Sequence, residues 1–215
     1  ALYYNINDFS VVDYTGGLED LNNGILRVIG DPEQRYREDP VRMLRAVRFV
    51  AKLGFRMHPD TEAPLFELGH LLMHISPARL FDEFLKLFFG GCAVQTFELL
   101  RHYNVFQYLF PEMDEVLAQE KDGFPHTLLI HAFTNTDARI AENKPVTPAF
   151  LFAALLWESM LVLAEQQQEE EGIPEAQALQ EASTAVIQRQ MASITLPKRF
   201  SVPMREIWQL QPRLQ

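Results

Sequence analysis

The chain has 215 residues, 47% of them hydrophobic, and a formal net charge of −10. That length holds one large or two modest domains with a substantial core. One cysteine, Cys92, excludes an internal disulfide framework and fits a reducing cytoplasm, and the longest apolar stretch, 150–156, falls far short of the ~20 residues that span a bilayer.

Residues 2–5 and 10–14 alternate with β-forming side chains, and 26–29 is a third short strand candidate, with Gly16-Gly17 and Asn22-Asn23-Gly24 as turns. After residue 31 the pattern is helical. Starts are marked at Asp39-Pro40, His58-Pro59, Ser76-Pro77, Thr147-Pro148 and Ile173-Pro174. The predicted helices are 62–74, 77–89, 93–102, 128–140, 149–164, 175–193 and 204–214, with stops at Gly54, Gly90-Gly91 and Gly123. The polar run Gln166–Glu171 reads as a solvated helix end, with an acidic docking site as the other option.

The stretch 35–49, from Arg35 to Phe49, is the richest in chemistry. Asp39 as cap and Pro40 at the first position predict a helix. On it Met43, Leu44, Val47, Val50 and Ala51 form an apolar face, while Glu38, Arg42, Arg45 and Phe49 project opposite. A carboxylate beside an arginine can read a nucleobase edge: the acid accepts from an exocyclic amine and the guanidinium donates to the adjacent ring nitrogen. Adenine and cytosine both present that pattern. The bland alternative is a solvated Glu38–Arg42 pair worth a few tenths of a kcal/mol.

Other constellations carry less. His70 and His74 have zinc-ligand spacing but no acid between them and no third ligand nearby in sequence. Phe81, Phe84, Phe88 and Phe89 fit core packing behind the 39–53 helix better than base stacking. Arg79, Lys86 and Asp82 lie on the polar side of that segment and are candidates for touching RNA or phosphate, and Tyr36 either stacks on a base or covers a helix start. Asp8, Asp13 and Asp20 are too scattered for a metal pair, and Asp20 fits a turn or cap.

Several segments together resemble a known family. Ala1-Leu2-Tyr3-Tyr4, Asp13-Tyr14-Thr15-Gly16-Gly17, Leu26-Arg27-Val28-Ile29-Gly30-Asp31-Pro32 and Arg37-Glu38-Asp39-Pro40 follow the order of the late head and neck of class II nucleotidyltransferases. That superfamily holds the bacterial poly(A) polymerases and the CCA-adding tRNA nucleotidyltransferases. Ser76-Pro77-Ala78-Arg79-Leu80-Phe81-Asp82-Glu83-Phe84-Leu85-Lys86-Leu87 resembles the poly(A) polymerase branch, as do Pro148–Ala154 and Leu196-Pro197-Lys198-Arg199-Phe200.

The resemblance implies a mainly α fold, a multi-helical neck and body preceded by a small β remnant of the head. It divides the chain into 1–30 (head remnant), 31–110 (neck) and 111–215 (RNA-binding body). It assigns base recognition to Glu38, Asp39 and Arg42, with Arg45 in the nucleotide pocket or its supporting network. The implied reaction adds AMP from ATP to an RNA 3′ end, with Mg2+ and ATP used by the full-length enzyme. The family's metal-binding Asp-x-Asp pair has no counterpart in these 215 residues, so the chain by itself is expected to be inactive.

Charge distribution qualifies the acidic total. Residues 27–56 carry eight basic and four acidic side chains, a local balance of +4, leaving −14 elsewhere. Rival readings are a CCA-adding enzyme, which shares the base-reading helix, and a non-enzymatic helical module that binds RNA or protein.

Overall fold

A computed structural model describes residues 2–120 and 123–211. Strand β1 (Leu2–Tyr4) pairs antiparallel with β2 (Val11–Asp13), Tyr3 opposite Val12. Asp13 ties down the following turn, its carboxylate accepting from the Leu18 N–H at 2.8 Å and the Thr15 N–H at 3.0 Å. Helix α1 (Gly17–Asn22) then carries Asp20 to a two-bond pair with Arg27, at 2.7 and 3.0 Å. The cap role expected of Asp20 thus falls to Asp13.

Strand β3 (Ile25–Leu26) meets the predicted 26–29 strand only at Leu26 and runs parallel to β4 (Arg56–Met57), a partner that the sequence pattern did not predict. Parallel neighbours need a crossover, here α2 (Pro32–Glu38) and α3 (Val41–Leu53). Gly54 ends α3 in the left-handed region at φ 65°, as its glycine stop predicted.

The predicted 62–74 helix is two elements. Helix α4 (Pro59–Leu68) gives way to a 3₁₀ segment, Gly69–His74. Residues four apart in 3₁₀ geometry differ by about 120° around the axis, so His70 and His74 do not share a face there. A Cβ on Gly69 would lie 2.8 Å from the Tyr108 ring, so a larger residue at the junction would displace that ring.

Helices α5 (Pro77–Phe88) and α6 (Ala93–His102) follow their predicted bounds closely. Ser76 caps α5 through the Arg79 N–H, and Asp137 accepts from Ala93 N–H at 2.8 Å and Val94 N–H at 3.3 Å at the start of α6. Cys92 is buried at this junction. Two short helices without sequence signal follow, α7 (Phe106–Leu109) and α8 (Pro111–Gln119). Gly123, expected to stop a helix, instead precedes α9 (Phe124–Ala141) at φ 67°.

The predicted 149–164 helix breaks at Leu156 into α10 (Pro148–Leu155) and α11 (Trp157–Glu171), bent by 48°. The break lets α10 pack on α9 and α13 while α11 packs on α8 and α12. Helix α12 (Glu175–Gln190) stops short of the predicted 193, and α13 (Lys198–Leu210) begins six residues before the predicted 204. The end of the predicted 204–214 helix lies outside the described residues. Among the described residues no single helix is long and apolar enough to cross a membrane.

The core is aromatic. Phe84 lies with ring centroids 4.4 Å from Phe152, 5.2 Å from Phe88 and 5.9 Å from Phe110. Phe88 stacks on Phe133 at 5.0 Å, so the phenylalanine-rich α5 is core, as its periodicity indicated. Trp208 joins α13 to this core by donating from Nε1 to the Ala153 carbonyl at 3.0 Å.

Candidate functional site

The Glu38-Asp39-Pro40 stretch is a joint between helices, not the start of one continuous helix. Proline disfavours helical geometry at the residue before it, and Asp39 is extended at φ −150°, ψ 95°. Glu38 therefore closes α2 and does not lie on the helix that carries Arg42 and Arg45. Its carboxylate pairs with Arg35 at 2.7 Å and accepts from Gln34 at 3.3 Å, so the anticipated Glu38–Arg42 surface pair does not form.

Asp39 is the fixed point. One oxygen accepts from the Val41 N–H at 3.3 Å, which retains part of the predicted capping role, although Val41 is the first residue of α3. The other oxygen accepts from Arg79 Nη2 at 2.9 Å, forty residues along the chain at the start of α5. The pair is partly exposed and contributes at most about 1 kcal/mol, so it orients Asp39 more than it stabilises the fold.

Arg42 lies in the first turn of α3, half-buried, and its Nε–H is shielded from solvent without an acceptor among the described residues. Arg48 has the same orphaned Nε–H, and its guanidinium rests over the Phe49 ring at 4.7 Å. Arg45 is exposed. Met43, Leu44, Val47 and Val50 are buried as the periodicity requires, which fixes the rotation of α3 and hence the direction of its arginines.

Tyr36 is fully buried, its hydroxyl donating to the Thr61 carbonyl at 3.0 Å, so it covers the helix start and does not present a face to a base. Burial and then Tyr103 push its phenol well above the ordinary range.

On α5, Arg79 and Lys86 keep about half of each side chain exposed while each holds a carboxylate, Asp39 and Glu83 respectively. Glu83 was not foreseen as part of this surface. It is buried, bonded to Lys86 at 2.7 Å through one oxygen and unpartnered at the other. Its signal was present: an acid occupying a slot of the Leu80, Phe84, Leu87 apolar stripe.

These residues give the α2–α3–α5 surface a fixed carboxylate, a movable one, and an arginine with donor capacity to spare. Such a set suits recognition of a planar group that offers both a donor and an acceptor.

Comparison with known proteins follows the same lines. Residues 54–117 match the family model "Probable RNA and SrmB- binding site of polymerase A", and 171–215 match "Polymerase A arginine-rich C-terminus". Arg79 and Lys86 fall inside the first match; Glu38, Asp39, Arg42 and Arg45 precede it. Poly(A) polymerase I of Salmonella typhi is 45% identical over 214 residues, which is 100% of this chain and 46% of the relative. A CCA-adding enzyme of Anoxybacillus flavithermus is 42% identical over 103 residues, 48% of this chain and 26% of that protein. The chain thus spans about half the length of the curated poly(A) polymerases it matches. Its fold is similar to that of a CCA-adding enzyme solved with ATP, with a TM-score of 0.50 at 18% identity, covering 99% of this chain and 57% of the other. By identity along its whole length, the chain is a relative of the bacterial poly(A) polymerase I proteins.

Proposed function

We propose that this chain provides base recognition and part of the RNA surface in an enzyme that adds AMP from ATP to RNA 3′ ends. The observation that carries this reading is coverage: the poly(A) polymerase match runs along the whole chain, whereas CCA-adding relatives align with about half of it. The proposed division is head remnant 1–30, neck 31–110 and RNA-binding body 111–215.

In this reading Arg42 donates to the N1 acceptor of adenine, and the carboxylate of Glu38 or Asp39 accepts from its exocyclic amine. Asp39, held by Arg79, sets the position, while Glu38 exchanges its exposed Arg35 partner for the base. Arg45 supports the nucleotide from the exposed side of α3. Arg79 and Lys86 attract phosphate, which argues that RNA approaches along α5.

Mg2+ belongs to the reaction that the resemblance implies. Among the described residues no three His, Cys, Asp or Glu side chains group to hold a metal ion, and the 215 residues contain no Asp-x-Asp pair. They do not fit the metal. The 215-residue chain alone is accordingly proposed to be inactive.

The test is kinetic, in a whole enzyme carrying this chain. Arg42→Ala should lower ATP use and the preference for ATP over GTP by ten-fold or more, from the roughly 1.5–3 kcal/mol of a charged hydrogen bond. RNA affinity should change little. Unchanged discrimination would remove Arg42 from base recognition; wild-type incorporation of CTP as readily as ATP would favour the CCA-adding reading. RNA extension by the isolated 215 residues would overturn its proposed inactivity.

A further inference from the structure

Away from the base-reading residues, a cleft of about 500 Å3 opens among α8, the start of α9 and α11, with Arg189 of α12 also lining it. Its carboxylates come from Glu112, Glu115, Glu120 and Glu158, and Val116, Phe124 and Leu163 supply apolar wall. Some of this charge is committed. Glu112 Oε1 accepts from Arg189 Nη1 at 3.0 Å, and Glu120 Oε2 accepts from the His126 N–H at 3.0 Å.

Three acceptors are left over. Glu112 Oε2 and Glu158 Oε1 are shut off from solvent with no donor among the described residues. Ser159, only 7% exposed, lines the same cleft with its Oγ also unpartnered. Buried polar atoms are nearly always bonded, so orphaned acceptors on facing helices of one cleft mark a place for a donor. Burial, reinforced by Glu165, raises the Glu158 carboxyl above its ordinary range, a penalty that a bound cation would relieve.

The donor is not a metal ion by the geometry present, because no three acidic or imidazole side chains among the described residues converge on one point. Carboxylates and apolar side chains lining one cleft suit a cation whose charges are joined by an apolar chain. We propose that this cleft binds an aliphatic polyamine, one ammonium at the Glu112 carboxylate, a second at the Glu158 carboxylate beside Ser159, and the methylenes along Val116 and Leu163.

Calorimetric titration of the 215-residue chain with spermidine tests this at physiological salt, where diffuse attraction to a net-acidic chain is screened. Saturable one-site binding is expected. Glu158→Gln should weaken it about ten-fold or more and Ser159→Ala about three-fold, with circular dichroism confirming the fold. Glu112→Gln serves as a second variant. Neutralising the Glu169, Glu170 and Glu171 run, which lies outside the cleft, should leave affinity unchanged. Hexylamine, with one charge on a comparable chain, should bind at least about ten-fold more weakly than spermidine.

Absence of saturable binding overturns the proposal. So does an equal loss on neutralising 169–171, or hexylamine matching spermidine. Tighter binding of a trilysine peptide would replace the polyamine with a basic protein segment. Binding that emerges only in Lys121→Gln would make the lysine after Glu120 the cleft's own cation, and the proposal would fall.

Discussion

The N-terminal hairpin and helix α5 have the same apolar content, seven of twelve residues in both 2–13 and 77–88, and opposite fates. In the hairpin Tyr4 is 61% exposed, and Ile6 and Phe9 are each 75% exposed. In α5 the side chains of Leu80, Phe84, Leu87 and Phe88 are at most 2% exposed. Composition is therefore not what decides burial. The helix gathers its apolar side chains on one face and meets α3, α6 and the Phe110–Phe152 rings there. Among the described residues the two three-residue strands pair with no third strand, so most of their apolar side chains remain in water.

The sharpest way to break this contrast is to shorten one phenylalanine in each region. Phe84→Ala should cost about 3–5 kcal/mol, because it empties the centre of the ring cluster, whereas Phe9→Ser should stay within about 0.5 kcal/mol. Denaturant midpoints measure both. A comparable loss in Phe9→Ser would mean that the hairpin is covered in solution, for instance by another copy of the chain.

Hydrogen exchange sharpens the comparison without mutation. In dilute, demonstrably monomeric protein the β1 and β2 amides should exchange near the rate of open chain, while α5 amides should exchange only on global unfolding. Slow exchange across 2–13 in the monomer would give that segment a packing partner of its own.

The smallest expected effect is local. Backbone N–H bonds from Leu18 and then Thr15 hold the Asp13 carboxyl down at about 2. A lowered folded-state value means that this turn is fully tied above the ordinary carboxylate value near 3.8 and comes loose as pH falls through about 2. An NMR titration of the Asp13 carboxyl should show that midpoint with little change in α5. A midpoint near 3.8 would mean the turn is not formed.

Legibility in the sequence followed the same division between local and distant causes. Helices opened by a capping residue and proline, such as Ser76-Pro77 and Thr147-Pro148, were placed correctly because the cap acts within three residues. The break at Leu156 carried no glycine or proline, and its cause is that α10 and α11 pack on different neighbours. Helix α7 spans only four residues, too few for a periodic pattern to register. At the candidate site, the burial of Met43, Leu44, Val47 and Val50 on α3 followed from periodicity. The Arg79–Asp39 bond links positions forty residues apart and left no local trace. The joint at Asp39 was misread because proline was weighed as a helix opener and not also as a restraint on the residue before it.

That joint also governs which changes of length the region tolerates. An extended residue does not transmit helical phase, so the rotation of α2 is set by its own buried Tyr36 and is not carried over to α3. On the other side of the joint the phase is locked. One residue inserted between Pro40 and Arg42 would turn Arg42 and the buried Met43–Val50 face together by about 100° relative to Asp39, so that either the face leaves the core or the joint is displaced. The spacing from Asp39 to Arg42 is thus set by the pitch of the helix and the burial behind it, before any ligand is considered.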